Sequence, residues 1–443
     1  MPKERPANIE IRKVSSVPHD LQRKFSHAVQ APLTPIKNAT KTETYSALDY
    51  ELDKFSGVTT FHGLIRLYTG RPIAKVFWFF VVSFAVGLFV WQVTKLFIIL
   101  VNRPTVSEVR FKIPPQGQDF PAITICNYNP VKSSYITDTL NKTGYLSQDA
   151  LDYIYLSYIQ IENLFTELSK SEVMQKRDAY NEYLKKNPGF DLVQFFINGS
   201  YSCSDMFLMC IFGGKKVNCC EIAEPVLTDV GLCYRFINYS QTENGNKQYI
   251  SGAFYGLQMH INIMIKEYPS SFFSNFYEVG IRFFVHPSGM IPFMSAGGIS
   301  VTPGNRIYAG ITTRHFELLP IDEWGTCKPS WDEKSYNITD LYTSNNCELY
   351  CTAEIFNKTC GCVPLRYKLG DHFPVCHPFE LHECLYNNQL EENEEYWYTR
   401  CPSCLIECDR WEYSVETSYA QIPNIGAAQY FKDLYGYTES YVK

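Results

Sequence analysis

One uncharged apolar run constrains this chain more than any other feature. The run Val76–Thr94 contains no charged side chain, and after Lys95 the apolar sequence continues to Val101. An α-helix rises about 1.5 Å per residue, so about twenty apolar residues cross the roughly 30 Å hydrocarbon layer of a bilayer. Bulky aromatic residues lie all around the run rather than along one stripe, which argues against a buried helix of a soluble protein. A cleaved signal peptide would lie nearer the N-terminus, so we predict a membrane span.

The cysteines and glycosylation acceptors predict which side of the span faces outward. All 16 cysteines follow the run and none precedes it, which indicates an oxidising, extracellular compartment on the C-terminal side. The Asn-x-Ser/Thr triplets agree, since only the one at Asn38 precedes the run. The candidate glycosylation sites beyond the run are Asn141, Asn198, Asn238, Asn337 and Asn357. We therefore expect a plasma-membrane protein with a cytosolic N-terminus.

The distribution of charge supports the same topology. Residues 1–75 contain twelve Lys and Arg against seven Asp and Glu, a net charge of +5. Residues 102–443 contain 27 against 39, a net charge of −12, and basic residues are retained on the cytosolic side of membrane proteins. We therefore predict a cytosolic region over 1–75, a first transmembrane helix over 76–101 and an extracellular domain over 102–443. No basic stripe suggests nucleic acid as a partner.

Hydrophobic periodicity predicts an α+β extracellular domain. Residues 147–186 repeat apolar side chains at helical spacing, which indicates a pair of helices. Strands are predicted at 120–130, 256–266, 279–286, 298–304 and 306–313 from β-branched content or strict alternation. His260 and His286 lie in this part without an evident cysteine or carboxylate partner, so a structural role is favoured over a metal ligand.

The last third of the chain is rich in cysteine. Its ten cysteines are Cys327, Cys347, Cys351, Cys360, Cys362, Cys376, Cys384, Cys401, Cys404 and Cys408. The spacing Cys401-x-x-Cys404 also suits zinc, but extracellular thiolates oxidise, so a disulfide ladder is favoured. Cys347 and Cys351 lie one helical turn apart and can both face a chain that returns through Cys401 and Cys404. A second group, Cys203, Cys210, Cys219 and Cys220 around Gly213-Gly214, predicts a local clasp.

A series of short motifs, taken in order, resembles one known family. The motifs are FHG (61–63), KVFW (75–78), FPAITICN (120–127), GLCYRFIN (231–238), YGLQM (255–259), SVTPG (300–304), WGTC (324–327), C-x3-C, C-x-C and CPSCLIEC (401–408). Together they resemble the degenerin/epithelial sodium channel family, which includes acid-sensing and peptide-gated channels. The resemblance implies a trimeric, amiloride-sensitive, sodium-selective channel without a cofactor. It implies subunits with two spans and a hand-like domain: a β-sheet palm and β-ball, a helical finger (about 141–222) and a helical thumb (about 327–408).

The resemblance also implies roles for individual residues. The thumb disulfides would be Cys327–Cys408, Cys347–Cys404, Cys351–Cys401, Cys360–Cys384 and Cys362–Cys376. Cys126–Cys233 would join palm strands, and Cys210 would pair with Cys219 or Cys220 in the finger. His62 and Gly63 match the family's cytosolic gating motif, and Trp324 matches the aromatic residue at the base of the thumb. The usual aromatic partner of that residue is replaced by Arg103-Pro104.

The second span of the family has no counterpart in this sequence. No run after Val101 is apolar enough to cross a bilayer, so we expect a channel subunit that is incomplete at its C-terminus and lines no pore alone. The alternative is a one-span, non-conducting protein that acts as a binding or dominant-negative modulatory subunit.

An enzymatic function has no support in the sequence. Neither a nucleophile elbow nor His-Glu-x-x-His occurs, and the acidic run at 391–395 is typical of a solvated helix face or a cation-sensing surface. Histidine is the side chain that titrates under mild acid, and none lies between His62 and His260. We therefore expect an extracellular peptide or other ligand as the stimulus first, constitutive or mechanical opening second, and protons third.

Overall fold

The computed structural model describes most of the chain as two compact units, Met1–Pro104 and Thr105–Lys443. The described residues are 47–59, 63–104, 106–112, 115, 117–143, 146–158, 169–236, 247–248, 250–269, 278–332, 340–369, 373–387 and 401–435.

The first unit is built around one long helix. Its helices are α1 (Ala47–Val58), α2 (Leu64–Thr69) and α3 (Pro72–Asn102). Pro72 occupies the first turn of α3, where a missing backbone N–H breaks no helical hydrogen bond. The most apolar part of α3 has a mean hydropathy of 2.3, and none of its residues is buried. Among the described residues, α3 is the one helix long and apolar enough to cross a membrane.

The second unit combines helices and strands. Its helices are α4 (Ser133–Thr143), α5 (Gln148–Tyr158), α6 (Lys170–Lys186), α7 (Leu192–Gly199), α8 (Cys203–Met206), α9 (Met294–Gly297), α10 (Ser344–Cys360), α11 (Pro378–Asn387) and α12 (Ile425–Tyr435). Its strands are β1 (Gln118–Asp119), β2 (Ala122–Asn127), β3 (Phe207–Phe212), β4 (Lys215–Val217), β5 (Ala223–Thr228), β6 (Gly231–Phe236), β7 (Lys247–Gln248), β8 (Gln258–Ile261), β9 (Ile281–His286), β10 (Ile299–Val301), β11 (Asn305–Glu317) and β12 (Asp409–Gln421).

An antiparallel central sheet has the strand order β10-β9-β2-β6-β5. Every residue of β2 is buried, because this strand lies between β6 and β9 and both of its faces are covered. A smaller sheet, β4-β3-β8, packs its apolar residues into the same core, where Phe207 contacts Tyr234 and Phe236 edge to face. β11 and β12, which are far apart in the chain, form a separate two-stranded antiparallel sheet, paired from Asn305↔Gln421 to Glu317↔Asp409.

Helices α5, α6 and α7 enclose an aromatic core. Tyr153, Tyr155, Tyr180 and Phe196 are fully buried in it. The Nζ atom of Lys176 on α6 lies 2.9 Å from a carboxylate oxygen of Asp149 and 2.9 Å from one of Asp152, both on α5. These contacts hold the two helices predicted over residues 147–186 in a fixed register.

The predicted fold class is confirmed: the protein is α+β, with one N-terminal apolar helix followed by a disulfide-rich domain of several sheets with peripheral helices. The strand predicted over 256–266 is wrong in length, since β8 covers only Gln258–Ile261. The alternation continues beyond β8, but the side chain of Asn262 accepts a hydrogen bond from the backbone N–H of Met264. Met264 adopts a left-handed φ of 51°, which turns the chain away from the sheet.

Candidate gating and coupling sites

Gly63 begins α2 in a conformation suited to glycine. Its φ is 112°, and its carbonyl oxygen accepts from the backbone N–H of Leu67 at 3.1 Å. A Cβ atom added here would lie 3.0 Å from Cγ2 of Val82 and 3.7 Å from Cε3 of Trp78, both on α3. The absence of a side chain therefore lets the start of α2 lie directly against the candidate span. His62, the other residue of this predicted motif, lies outside the described residues.

Trp324 lies in a tight turn that follows the long strand β11. Its φ of 75° is in the left-handed region, which a bulky side chain rarely adopts. The backbone N–H of Gly325 donates to the carbonyl oxygen of Pro320 at 2.8 Å and closes the turn. A Cβ atom on Gly325 would lie 1.5 Å from the carbonyl oxygen of Leu319, so only glycine fits. This closed turn presents the indole of Trp324 with 49% of the residue exposed.

The structure arranges the ten C-terminal cysteines as a ladder of five disulfides. Both Cys347 and Cys351 lie on α10, and they pair with Cys404 and Cys401 respectively. The complete set is Cys327–Cys408, Cys347–Cys404, Cys351–Cys401, Cys360–Cys384 and Cys362–Cys376, which is the set that the family resemblance implies. Because the disulfides are nested, they join α10 to the returning chain at several positions along the helix.

Asn346 fastens this ladder to the loop that follows β9. Its side chain is fully buried, and its Oδ1 accepts from the backbone N–H of Ile291 at 2.8 Å. Its Nδ2 donates to the carbonyl oxygens of Gly289 at 3.0 Å and Leu341 at 2.9 Å. The neighbouring Asn345 makes a single such bond, to the carbonyl oxygen of Ile291 at 3.0 Å. The first turn of α10 is therefore bonded to a backbone segment more than fifty residues earlier.

A second buried polar residue joins two parts of the central sheet. Asp229, in the turn between β5 and β6, accepts from the backbone N–H groups of Met294 at 2.7 Å and Ser295 at 2.8 Å. The disulfide Cys126–Cys233 lies in the same small core as Met294. The carboxylate thus holds the segment before β10 against the β5–β6 turn, while the disulfide joins β2 to β6.

Sequence reasoning missed a cluster around His315 at the end of the β11–β12 sheet. Nε2 of His315 lies 2.7 Å from Oδ1 of Asp409, and its Nδ1 lies 3.8 Å from Oε1 of Glu317. The imidazole stacks on the indole of Trp411, with 4.3 Å between ring centroids. The register of β11 and β12 creates this cluster from residues 94 positions apart, so no local sequence signal could have revealed the pair.

His260 and His286 are built into the sheets. The His286 ring is buried, its Nε2 lies 2.8 Å from the Thr124 hydroxyl, and burial lowers its pKa to about 4. The pKa of His260 is also lowered, first by burial and then by the charge of Arg306. Among the described residues, no group of three His, Cys, Asp or Glu side chains is arranged to hold a metal ion.

The clasp contains two nested disulfides. Cys210 pairs with Cys219, and Cys203 pairs with Cys220, so the alternative left open for Cys210 is decided by the structure. With these two and Cys126–Cys233, every cysteine of the chain is paired.

The predicted glycosylation sites fall on several elements. Asn198 is exposed near the end of α7, Asn357 is half-buried on α10, and the backbone of Asn141 belongs to α4. Asn238, Asn337 and the acidic run at 391–395 lie outside the described residues. Glycosylation at these sites stays a prediction.

A helix that is long and apolar enough to cross a membrane, followed by a domain with eight disulfides, is typical of a membrane protein with a covalently braced α+β domain. A protein-family model described as "Amiloride-sensitive sodium channel" matches residues 55–443. The chain therefore belongs to this family of sodium channels, the degenerin/epithelial sodium channel family, and the predicted resemblance is confirmed.

Individual relatives agree with this assignment. The chain is 26% identical to acid-sensing ion channel 1A of Danio rerio over 405 residues, which cover 88% of this chain and 76% of that protein. It is 27% identical to acid-sensing ion channel 4-B of Danio rerio, with coverage of 89% and 66%. It is 23% identical to acid-sensing ion channel 2 of Homo sapiens, with coverage of 88% and 74%.

Proposed function

We propose that this chain is a subunit of a trimeric, amiloride-sensitive, sodium-selective channel in the plasma membrane, opened by an extracellular stimulus. The observation that carries the proposal is the succession of one exposed apolar helix, α3, and a domain in which all sixteen cysteines are paired. Paired cysteines require an oxidising compartment, so residues 102–443 face outward and the N-terminus is cytosolic. The role is ion conduction and not catalysis.

The disulfide ladder supports a mechanical role for the thumb, which we assign to about 327–408. Five disulfides prevent the thumb from changing its internal length, so a displacement at one end is transmitted to the other. The end of the thumb near Cys327 and Cys408 adjoins strands β11 and β12. There the backbone N–H of Leu318 donates to the carbonyl oxygen of Cys408 at 2.8 Å. The turn that presents Trp324 lies in the same segment, so we assign Trp324 to the coupling of thumb movement.

Gly63 would act on the cytosolic side of the membrane. A Cβ atom at Gly63 would meet Val82 and Trp78, so the start of α2 lies close to the proposed first span. A change in the position of that span would therefore displace the segment that contains His62 and Gly63. We assign both residues to gating.

The stimulus we propose is an extracellular ligand such as a peptide. The sequence alone ranks protons third, after constitutive or mechanical opening, and the name acid-sensing that the relatives carry makes protons the second candidate. The pKa of His286 is lowered to about 4, so this histidine stays neutral under mild acid. Burial and the charge of Arg306 also lower the pKa of His260. His286 therefore supplies no proton switch near neutral pH, and this supports a ligand as the first candidate.

Topology is tested by glycosidase digestion and by labelling of intact cells. We expect glycosidase to increase the electrophoretic mobility of the protein, and the variants Asn198→Gln and Asn357→Gln to reduce the size of that shift. A tag at the N-terminus should react with antibody only after permeabilisation. Unchanged mobility together with N-terminal labelling of intact cells would contradict the proposed orientation.

Assembly and conduction need a second experiment. The tagged subunit is expressed alone and with acid-sensing ion channel 1A of Danio rerio, and surface delivery is confirmed by biotinylation. We expect surface complexes that bleach in three steps and, in at least one condition, an amiloride-sensitive sodium current that is larger than the current of the relative alone or differs from it in selectivity. Suppression of the relative's current without any new current would indicate the modulatory alternative. Monomeric surface protein with no effect on current would refute the proposal.

A further inference from the structure

The exposed disulfide of the clasp is the outer of two nested bonds. Cys203–Cys220 spans 17 residues, and Cys210–Cys219 lies within that span. The inner sulfurs are buried, with 0% of Cys210 and 5% of Cys219 exposed, whereas Cys220 is exposed and Cys203 is partly exposed. All sixteen cysteines lie in the described part of the chain, and Cys220 is the exposed one among them.

Cys220 borders an open cavity at the protein surface. A surface cavity of about 410 Å³ is lined by Lys216, Asn218, Cys219 and Cys220, together with apolar residues of β3. The backbone N–H of Cys220 donates to Oδ1 of Asn218 at 3.2 Å, which holds the residue in a short turn at the surface. Exchange of a disulfide requires access of a thiolate to one sulfur, and Cys220 is an exposed residue that borders this cavity.

The nested arrangement also permits the outer bond to open without loss of the fold. When it opens, Cys210–Cys219 still closes the β3–β4 hairpin, and β3 remains paired with both β4 and β8. Tyr201, just before Cys203, stays anchored because its carbonyl oxygen accepts from the hydroxyl of Tyr234 at 2.8 Å. Only α8 and the turn at 219–221 lose a covalent tie.

We propose that Cys203–Cys220 is a redox-modification site, a disulfide that dithiol reductants open selectively while the other seven stay closed. The thiolate of the dithiol attacks Sγ of Cys220, the Cys203–Cys220 bond breaks, and Cys203 leaves as a thiolate that takes a proton from water. The second thiolate of the reductant then attacks its own sulfur in the mixed disulfide. It releases Cys220 as a thiolate, which is also protonated, and the reductant becomes a cyclic disulfide. Two electrons and two protons pass from the dithiol to the cysteine pair.

The test is differential alkylation of the purified protein in detergent. The sample is treated with increasing dithiothreitol, free thiols are blocked with iodoacetamide, and the labelled cysteines are identified by peptide mass spectrometry. We expect Cys203 and Cys220 to be labelled at least about tenfold faster than any other pair, because access controls the exchange rate. Earlier labelling of Cys210, Cys219 or any ladder cysteine, or labelling of all pairs together, would overturn the proposal.

A matched variant and a second measurement complete the test. In Cys203→Ser/Cys220→Ser, low dithiothreitol should label no cysteine, and the ladder should react as in the wild type. Hydrogen exchange of the wild type after mild reduction should increase only near 203–206 and 219–222. An increase that extends through β3 and β8 would show that the bond is structural, and this would also overturn the proposal. Neither measurement depends on ion conduction, so failure here is separate from failure of the proposed channel function.

Discussion

Asn346 allows a quantitative test of how the ladder is fastened to the central sheet. The substitution Asn346→Asp keeps the oxygen that accepts from Ile291 but replaces the Nδ2 donor with a second oxygen. The carbonyl oxygens of Gly289 and Leu341 then lose their donor and face a carboxylate in a buried site. Each buried group left unsatisfied costs about 1–3 kcal/mol, so we expect a loss of about 4 kcal/mol in the free energy of unfolding.

The neighbouring residue provides the control. Asn345 is on the same turn of α10, is half-buried, and makes one side-chain bond, to the carbonyl oxygen of Ile291. Asn345→Asp removes that bond and adds the same charge, and its expected cost is about 1 kcal/mol. Since about 1 kcal/mol shifts Tm by about 2 °C in a domain of this size class, the shifts should be about 8 °C and about 2 °C.

The assay is the thermal stability of detergent-solubilised protein, followed by fluorescence-detected size-exclusion chromatography. The buried carboxylate at position 346 would have a pKa above its ordinary value, so its penalty applies when it is ionised. The difference between the two variants should therefore shrink as the pH falls through that raised pKa. Equal Tm shifts for the two variants at neutral pH would refute the reasoning about this contact.

Three further predictions concern single residues of the sites described above. Gly63→Ala should alter channel opening, because the backbone of Gly63 has a positive φ and the added methyl group would press on α3. Gly87→Ala is the control and should leave opening unchanged, because its methyl group meets open space. Whole-cell currents normalised to surface protein measure both variants. Because burial lowers the pKa of His286 to about 4, the unfolded chain binds this proton more readily than the folded protein does, and His286 should contribute a loss of about 3 kcal/mol of stability as the pH falls from 7 to 4. Denaturation at several pH values should show that His286→Gln loses less stability than the wild type over this range, by about that amount. Gly325→Ala should abolish stimulus-evoked current or surface delivery, because a Cβ atom at this position would collide with the backbone of Leu319. Gly189→Ala is the control: its Cβ atom meets open space, so current recording and surface biotinylation should show no change.

The sequence alone determined the features that depend on local composition. An uncharged run of sufficient length predicts an apolar helix because the requirement is a matter of length and polarity, and α3 extends that run to Pro72 and Asn102. The two-residue alternation of strands such as β9 and β11 is equally local. The one-turn spacing of Cys347 and Cys351 predicts that both can meet a returning chain, since helical geometry places them on one face.

Only the tertiary structure decided which distant groups meet. Cys219 and Cys220 are adjacent, and sequence gives no reason for Cys210 to select one of them. The choice follows from packing, which buries Cys219 next to β3 and leaves Cys220 at the surface. The pair His315 and Asp409 depends on the register of two strands 94 residues apart. Such contacts are set by the combined packing of whole elements, and no local pattern of residues contains that information.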